Sequence, residues 1–322
     1  MMQTSDTRIV ENNLMAYPEI FGGVVPPICT PFTTDGDVDV ASLEKLLKHQ
    51  VDGGVTGIFA LGTTSETGAL TDAQRNTVLE TTIGAIAGQV PVLAGVIAMS
   101  TSAVIEYAQQ AEALGADAVV ALGPYYHKFS DAEIADHFRA IHAAITIPIV
   151  AYNIPQMVQT VLHKDVVSTL AAEGVIAGVK DSSGDEASFR AIVANTKQYP
   201  HFSVFTGAEI TVDYAMFTGA AGVVPGLGNV DPAGYRRLYD AAIAGDWDTT
   251  RTEQARLADL FTILAQATPG RVGITSGVIG GYKTALREMG IIATNTMATP
   301  MSPLNDEEAG RIRVILERNG MI

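Results

Sequence analysis

The chain has a single cysteine, Cys29, which excludes an internal disulfide and every multi-cysteine zinc pattern. It is poor in cations: 20 Lys and Arg stand against 35 Asp and Glu, a formal charge of −15. That balance repels phosphate backbones and anionic lipid, so neither nucleic acid nor a membrane surface is an expected partner. The six histidines are scattered, with no H-E-x-x-H and no pair at i, i+4, and no metal is expected. No apolar run approaches the roughly 18 residues of a membrane span. The first twenty residues mix Asp, Arg, Glu and Asn without the apolar centre of a secretory signal. Residues 1–21 therefore read as an N-terminal arm, and the expected compartment is cytoplasmic.

What is present is apolar substance. Hydrophobic residues make up 47% of the 322 residues and charged ones only 17%, enough to bury a large core. From residue 24 short β-rich apolar runs alternate with longer segments of helical period, the pattern of βα units on a parallel sheet. Eight strands are expected: Val24–Cys29, Gly57–Leu61, Val92–Gly95, Ala118–Leu122, Ile149–Tyr152, Ile176–Lys180, Ser203–Thr206 and Gly222–Pro225. Helix signals lie between them: Thr71-Asp72, Ser100-Thr101, the Ser130/Glu133 capping-box spacing, and Gly115 and Gly174 as closing caps. Eight units in about 200 residues favour a closed (β/α)8 barrel. An open dinucleotide-binding sheet would need G-x-G-x-x-G after the first strand, where this chain has Pro31 and Phe32. After Asp231-Pro232 only helices are expected, roughly Pro232–Gly245, Trp247–Ala267, Val278–Met289 and Asp306–Glu317. The division is thus an arm (1–21), a barrel (22–231) and a C-terminal helical extension (232–322) packed on it.

In a parallel barrel the C-terminal strand ends form the active-site mouth. Lys180 directly follows the apolar run Val175–Val179. An amine beside an apolar interior favours its neutral, nucleophilic form, suited to attack on a carbonyl; the plainer role is a lysine that snorkels to solvent. Tyr152 ends the preceding strand, so neighbouring strands deliver a phenol and an amine to one rim. That phenol can relay protons or merely pack its ring. Gly62-Thr63-Thr64-Ser65-Glu66 follows the second strand, where backbone N–H groups and hydroxyls can cradle a carboxylate or form an ordinary turn. Tyr125-Tyr126-His127 follows the fourth strand and suits a partner subunit or a substrate. Pro225-Gly226-Leu227-Gly228-Asn229 follows the eighth, as a phosphate grip or a turn.

Together, Gly62-Thr63-Thr64-x-Glu66, Pro124-Tyr125-Tyr126, Tyr152-Asn153-Ile154-Pro155 and Gly178-Val179-Lys180-Asp181-Ser182-Ser183-Gly184-Asp185 resemble the dihydrodipicolinate synthase and N-acetylneuraminate lyase family of class I aldolases. The motifs occur in order, with 28 residues from Tyr152 to Lys180, and the resemblance runs from about Gly22 to the C-terminus. It implies a (β/α)8 barrel with C-terminal helices, a homotetramer, and a 2-oxo acid substrate held as an imine on Lys180 with no separate cofactor. Carried onto matching positions, Tyr152 would transfer protons, and Thr63 and Thr64, beside Gly62, would hold the 2-oxo acid carboxylate. Thr63 and a neighbouring subunit's Tyr126 would complete the hydroxyl relay. Ser182, Gly207, Glu209 and Val224 are the further candidate substrate contacts.

Several positions depart from the family pattern. Met157 stands where the synthases carry an arginine for the second substrate's carboxylate, and a thioether cannot make that bidentate grip. The lyases' acidic pair is half present, as Glu209 before Ile210, and their serine near the eighth strand is matched by Gly226. Ser65 replaces the glycine usual after the threonine pair. The expected activity is an aldolase or lyase joining or cleaving pyruvate and an aldehyde, on a 2-keto-3-deoxy sugar acid or a related 2-oxo acid. The alternatives are dihydrodipicolinate synthase with another carboxylate grip, a deoxy-keto sugar acid dehydratase using the same imine, and a non-catalytic barrel that binds a 2-oxo acid.

Overall fold

The computed structural model describes residues 22–322; the expected N-terminal arm lies outside the described residues. Eight parallel strands form one sheet in the order β1-β8-β7-β6-β5-β4-β3-β2. They are β1 (Gly23–Val24), β2 (Ile58–Ala60), β3 (Val92–Gly95), β4 (Ala118–Leu122), β5 (Ile149–Asn153), β6 (Gly178–Asp181), β7 (Ser203–Thr206) and β8 (Gly222–Val223). The sheet curls until β1 meets β2: Thr56 N donates to Val24 O at 2.9 Å, Phe59 N to Pro26 O at 3.0 Å, and Ile28 N to Phe59 O at 2.9 Å. The result is the (β/α)8 barrel that the alternation predicts. β1 is much shorter than Val24–Cys29 because Pro26 and Pro27 have no N–H to offer a ladder. Asn229 compensates at this seam, accepting from Cys29 N at 2.9 Å and donating to Pro27 O at 2.9 Å.

Around the sheet lie α1 (Val40–Asp52), α2 (Asp72–Ile86), α3 (Thr101–Leu114), α4 (Asp131–His142), α5 (Pro155–Val158), α6 (Lys164–Ala172), α7 (Glu186–Thr196) and α8 (Val212–Thr218). The Ser130/Glu133 box that opens α4 is complete in both directions, and Thr71 with Gln74 forms a second box on α2. Each box satisfies two of the N–H groups that a helix start leaves unpaired.

Strand alternation divides the buried side chains into two cores. One set, including Val179, Val204 and Val119, faces the helices. The other fills the barrel: Val25, Phe59, Leu93, Val120, Val150, Tyr152 and Phe205, with Val224 towards the mouth. Because Val179 faces out, Lys180 must face in.

Four helices follow β8: α9 (Pro232–Ile243), α10 (Trp247–Leu260), α11 (Ile274–Glu288) and α12 (Asp306–Arg318). The expected helix Trp247–Ala267 gives way after Leu260 to a 3-10 turn, Phe261–Ala265, and the expected Val278 start lies at Ile274. A glycine explains the second difference. Gly277, in the missed first turn, lowers helix propensity, yet it packs closely there, since a Cβ on it would stand 3.3 Å from Ala267 Cβ; further along α11 a Cβ on Gly281 would stand 3.0 Å from Ile263 O. No helix among the described residues is long and apolar enough to cross a membrane.

Candidate active site

The parallel register sets Tyr152 directly beside Lys180 across β5 and β6, with Phe205 on the far side of Lys180. Lys180 is only 4% exposed. Its Nζ lies 4.1 Å from the Tyr152 ring centroid and 5.1 Å from that of Phe59, and no carboxylate among the described residues pairs with it. The adjacent Asp181 turns the other way, accepting from Ser183 N at 2.7 Å and Asn153 Nδ2 at 3.4 Å, and burial pushes its carboxyl above the usual range. An unpaired amine walled by aromatic rings is chemically a nucleophile for a carbonyl.

The turn after β2 supplies the next group. Thr63 Oγ1 lies 3.5 Å from the Tyr152 hydroxyl, a long contact that a bound substrate can tighten. Thr63–Ser65 form a short 3-10 turn after Gly62, whose Cβ, if it had one, would fall 2.7 Å from the Phe59 ring. Ser65 bolts this turn to the segment that follows β1: its Oγ donates to Ile28 O at 2.6 Å, while its carbonyl accepts from Thr30 Oγ1 at 2.9 Å. Ser65 N and Glu66 N close the turn on Gly62 O and Thr63 O. Thr63 and Thr64 thus sit in a fixed bend, with Thr63 beside the Tyr152 hydroxyl.

Opposite them, Gly207 follows β7. A Cβ there would stand 2.0 Å from Ser182 Oγ and 3.2 Å from Lys180 Cε, so Gly207, Ser182 and Lys180 meet at one point. Val224 belongs to the same inner cluster.

Glu209 and Tyr126 stand apart from this point. Glu209 turns its carboxylate towards the C-terminal helices, where Oε2 accepts from Leu227 N at 2.7 Å and Tyr235 OH at 3.0 Å, and Oε1 from Tyr282 OH at 2.9 Å. Burial pushes its carboxyl up, and these hydrogen bonds pull it back towards ionisation. The same bonds settle the Pro225–Asn229 segment as an internally held turn, since Leu227 N is taken by Glu209 and Gly228 N by Pro225 O. Tyr126 is 82% exposed on the outer rim and stacks edge-on against His127 at 5.1 Å. Its φ of 79° is a left-handed value that a bulky residue adopts only under constraint.

Other groups are not evident in the sequence. Phe59, buried in the barrel, contacts both Lys180 and Tyr152, the latter edge-on at 6.3 Å; period-two alternation is the one signal that could find it. Glu66, with φ 61°, forms a wholly buried ion pair with Lys283 of α11 and accepts from Ala298 N at 2.7 Å. Lys283 also donates to Thr296 O at 2.7 Å. No local pattern links residues 217 positions apart. Cys29 lies nearby, and burial pushes its thiol up to about 12, which makes it inert as a nucleophile. Among the described residues no group of three or more His, Cys, Asp or Glu is placed to hold a metal ion.

The profile of the dihydrodipicolinate synthetase family matches residues 20–319. The chain belongs to this family. Among curated relatives, a 4-hydroxy-tetrahydrodipicolinate synthase of Desulfotalea psychrophila is 30% identical over 94% of this chain and 98% of its own. A protein of Escherichia coli named as a probable 2-dehydro-3-deoxy-D-pentonate aldolase is 29% identical over 94% and 98%. Among solved structures, a dihydrodipicolinic acid synthase family protein of E. coli, in complex with pyruvate, superposes with a TM-score of 0.87 at 27% identity, covering 94% of this chain and all of that one. Family members include synthases and aldolases, and this chain is a lyase-type enzyme of the same family.

Proposed function

We propose that the protein is a Schiff-base aldolase that cleaves or forms a carbon–carbon bond between pyruvate and an aldehyde. Its substrate in the cleavage direction is a 4-hydroxy-2-oxo acid, the pattern of 2-keto-3-deoxy sugar acids and related compounds. The observation that carries this reading is the buried, unpaired Lys180 amine against Tyr152, whose hydroxyl faces Thr63.

Lys180 Nζ attacks the C2 carbonyl, and loss of one water gives the imine, an electron sink. No further cofactor is required. As the C3–C4 bond breaks, the Tyr152 oxygen takes the proton of the 4-hydroxyl while its own phenolic proton passes on through Thr63, and the relay later returns one proton to C3. The aldehyde leaves, and the electron pair is held as an enamine. Protonation at C3 and hydrolysis by one water release pyruvate and restore the amine. The Thr63–Thr64 turn supports the carboxylate of the 2-oxo acid, and Ser182 and Gly207 frame the Lys180 side chain. A second subunit presents its Tyr126 to the relay, within a cytoplasmic homotetramer; the exposed, strained Tyr126 supports that role.

The test is to incubate the protein with pyruvate, reduce with borohydride and map the mass increase by peptide mass spectrometry. The expected result is one adduct, on Lys180, absent from Lys180→Ala. A folded protein that gains no adduct would be a barrel without imine chemistry.

A further inference from the structure

A cavity of about 260 Å³ opens beyond Thr63. That is space for about eight or nine water molecules at roughly 30 Å³ each. Its lining comes from both parts of the fold: Leu122 and Ile154 at the ends of β4 and β5, Met157 and Val158 on α5, and Ile279 and Met301 from the C-terminal extension. Its polar members are mostly occupied. Thr63 faces the Tyr152 hydroxyl, Glu66 is held by Lys283 and Ala298 N, and the Thr67 hydroxyl accepts from Arg75, which also donates to Gly95 O at 3.0 Å. Only the tips of Tyr125 and Thr275 remain, and no Lys, Arg or His lines the space.

We infer that this cavity is the acceptor pocket and that it takes an aldehyde with an alkyl or aryl substituent. This rests on the aldolase reading above and narrows it. With C2 bound to Lys180 and the 4-hydroxyl at Tyr152, the carbons beyond C4 run past Thr63 into the cavity. There a hydrocarbon substituent loses only its water, whereas the hydroxyls of a polyol or a second carboxylate lose hydration that only the Tyr125 and Thr275 hydroxyls are left to replace. A carboxylate would also face Glu66 without a cation of its own. Met157, 48% exposed at the rim, is the position where a change of chemistry alters this preference with least disturbance of the fold.

The experiment measures pyruvate release from a series of 4-hydroxy-2-oxo acids bearing ethyl, propyl, pentyl or phenylethyl groups at C4. The comparators are 2-keto-3-deoxy-pentonate and 2-keto-3-deoxy-hexonate, with addition of pyruvate to aspartate semialdehyde followed separately. The expected result is a kcat/KM that rises about fourfold per methylene until the cavity is full, with each alkyl substrate at least tenfold above its hydroxylated counterpart. Met157→Arg, its fold checked by thermal melting, is expected to lower kcat/KM for the alkyl series tenfold and raise that for aspartate semialdehyde. A preference for the polyol acids or aspartate semialdehyde, or a Met157→Arg variant with unaltered selectivity, overturns the apolar pocket. Borohydride trapping with pyruvate alone separates the two levels. A Lys180 adduct with polyol preference removes only this inference, whereas no adduct removes the aldolase reading with it.

Discussion

Gly207 and Lys180 share one small volume: a Cβ at residue 207 would stand 3.2 Å from Lys180 Cε. The glycine is required there for its missing side chain, since its backbone is not among those with positive φ. Gly207→Ala is expected to displace the amine and lower kcat about tenfold, because even an ångström of misplacement costs up to about a hundredfold. Stability should fall by about 1 to 3 kcal/mol from overpacking. Ser182→Gly, made together with Gly207→Ala, clears the 2.0 Å overlap with Ser182 Oγ but leaves the Lys180 contact, so the rate should stay depressed. Steady-state kinetics and melting curves of the single and double variants check this; full recovery in the double would shift the cause to Ser182.

Tyr152 carries the proton under the proposed mechanism, whereas its ring helps wall Lys180. Tyr152→Phe retains the ring and loses the hydroxyl. Turnover is expected to fall by about 10² to 10⁴, while borohydride still traps pyruvate on Lys180. A phenylalanine variant with near-native kcat would take Tyr152 out of the relay.

Tyr126 is 82% exposed. Under the proposed assembly, Lys180→Ala and Tyr126→Phe are each expected to be nearly inactive alone. Mixed and reassembled, they should regain activity, because in each hybrid pair one of the two sites has Lys180 from one protomer and the Tyr126 hydroxyl from the other. Activity of mixtures against singles, with sedimentation to establish the assembly, decides it. A fully active monomer would rule the arrangement out.

The Glu66–Lys283 pair is buried on both sides. Burial pushes the Glu66 carboxyl up and the Lys283 amine down, and their mutual attraction opposes both shifts. Lys283→Met should destabilise the protein by about 3 to 5 kcal/mol, since it leaves a buried charge unpaired. Adding Glu66→Gln should recover part of that loss. Urea unfolding of the two variants measures it, and a Lys283→Met that costs under about 1 kcal/mol would show that the pair does not hold the threonine turn to α11.

The adjacency of Lys180 and Tyr152 was legible because it is local to their strands. Lys180 and Tyr152 each end an apolar run, strand alternation sends side chains of one parity inward, and parallel strands of a barrel bring their C-terminal ends to one rim. Boundaries were less legible where proline removed ladder donors at Pro26 and Pro27, and where Gly277 concealed the first turn of α11. Glu209 illustrates the limit from the other side. Its position after the seventh strand pointed to substrate, but two tyrosines from α9 and α11 and the Leu227 amide hold its carboxylate.

The sequence by itself determined the eight βα units, the absence of a cysteine or histidine metal pattern and the strand ends that carry Lys180, Tyr152 and the threonine turn. These follow from periodicity and nearest-neighbour geometry. Only the tertiary structure decided which groups meet across long chain separations: Glu66 with Lys283, Glu209 with Tyr235 and Tyr282, and Ile279 and Met301 with the strand ends that open on Thr63. The physical reason is that such contacts depend on how the C-terminal helices lie over the barrel mouth. That placement results from the packing of whole faces, which no short stretch of sequence encodes.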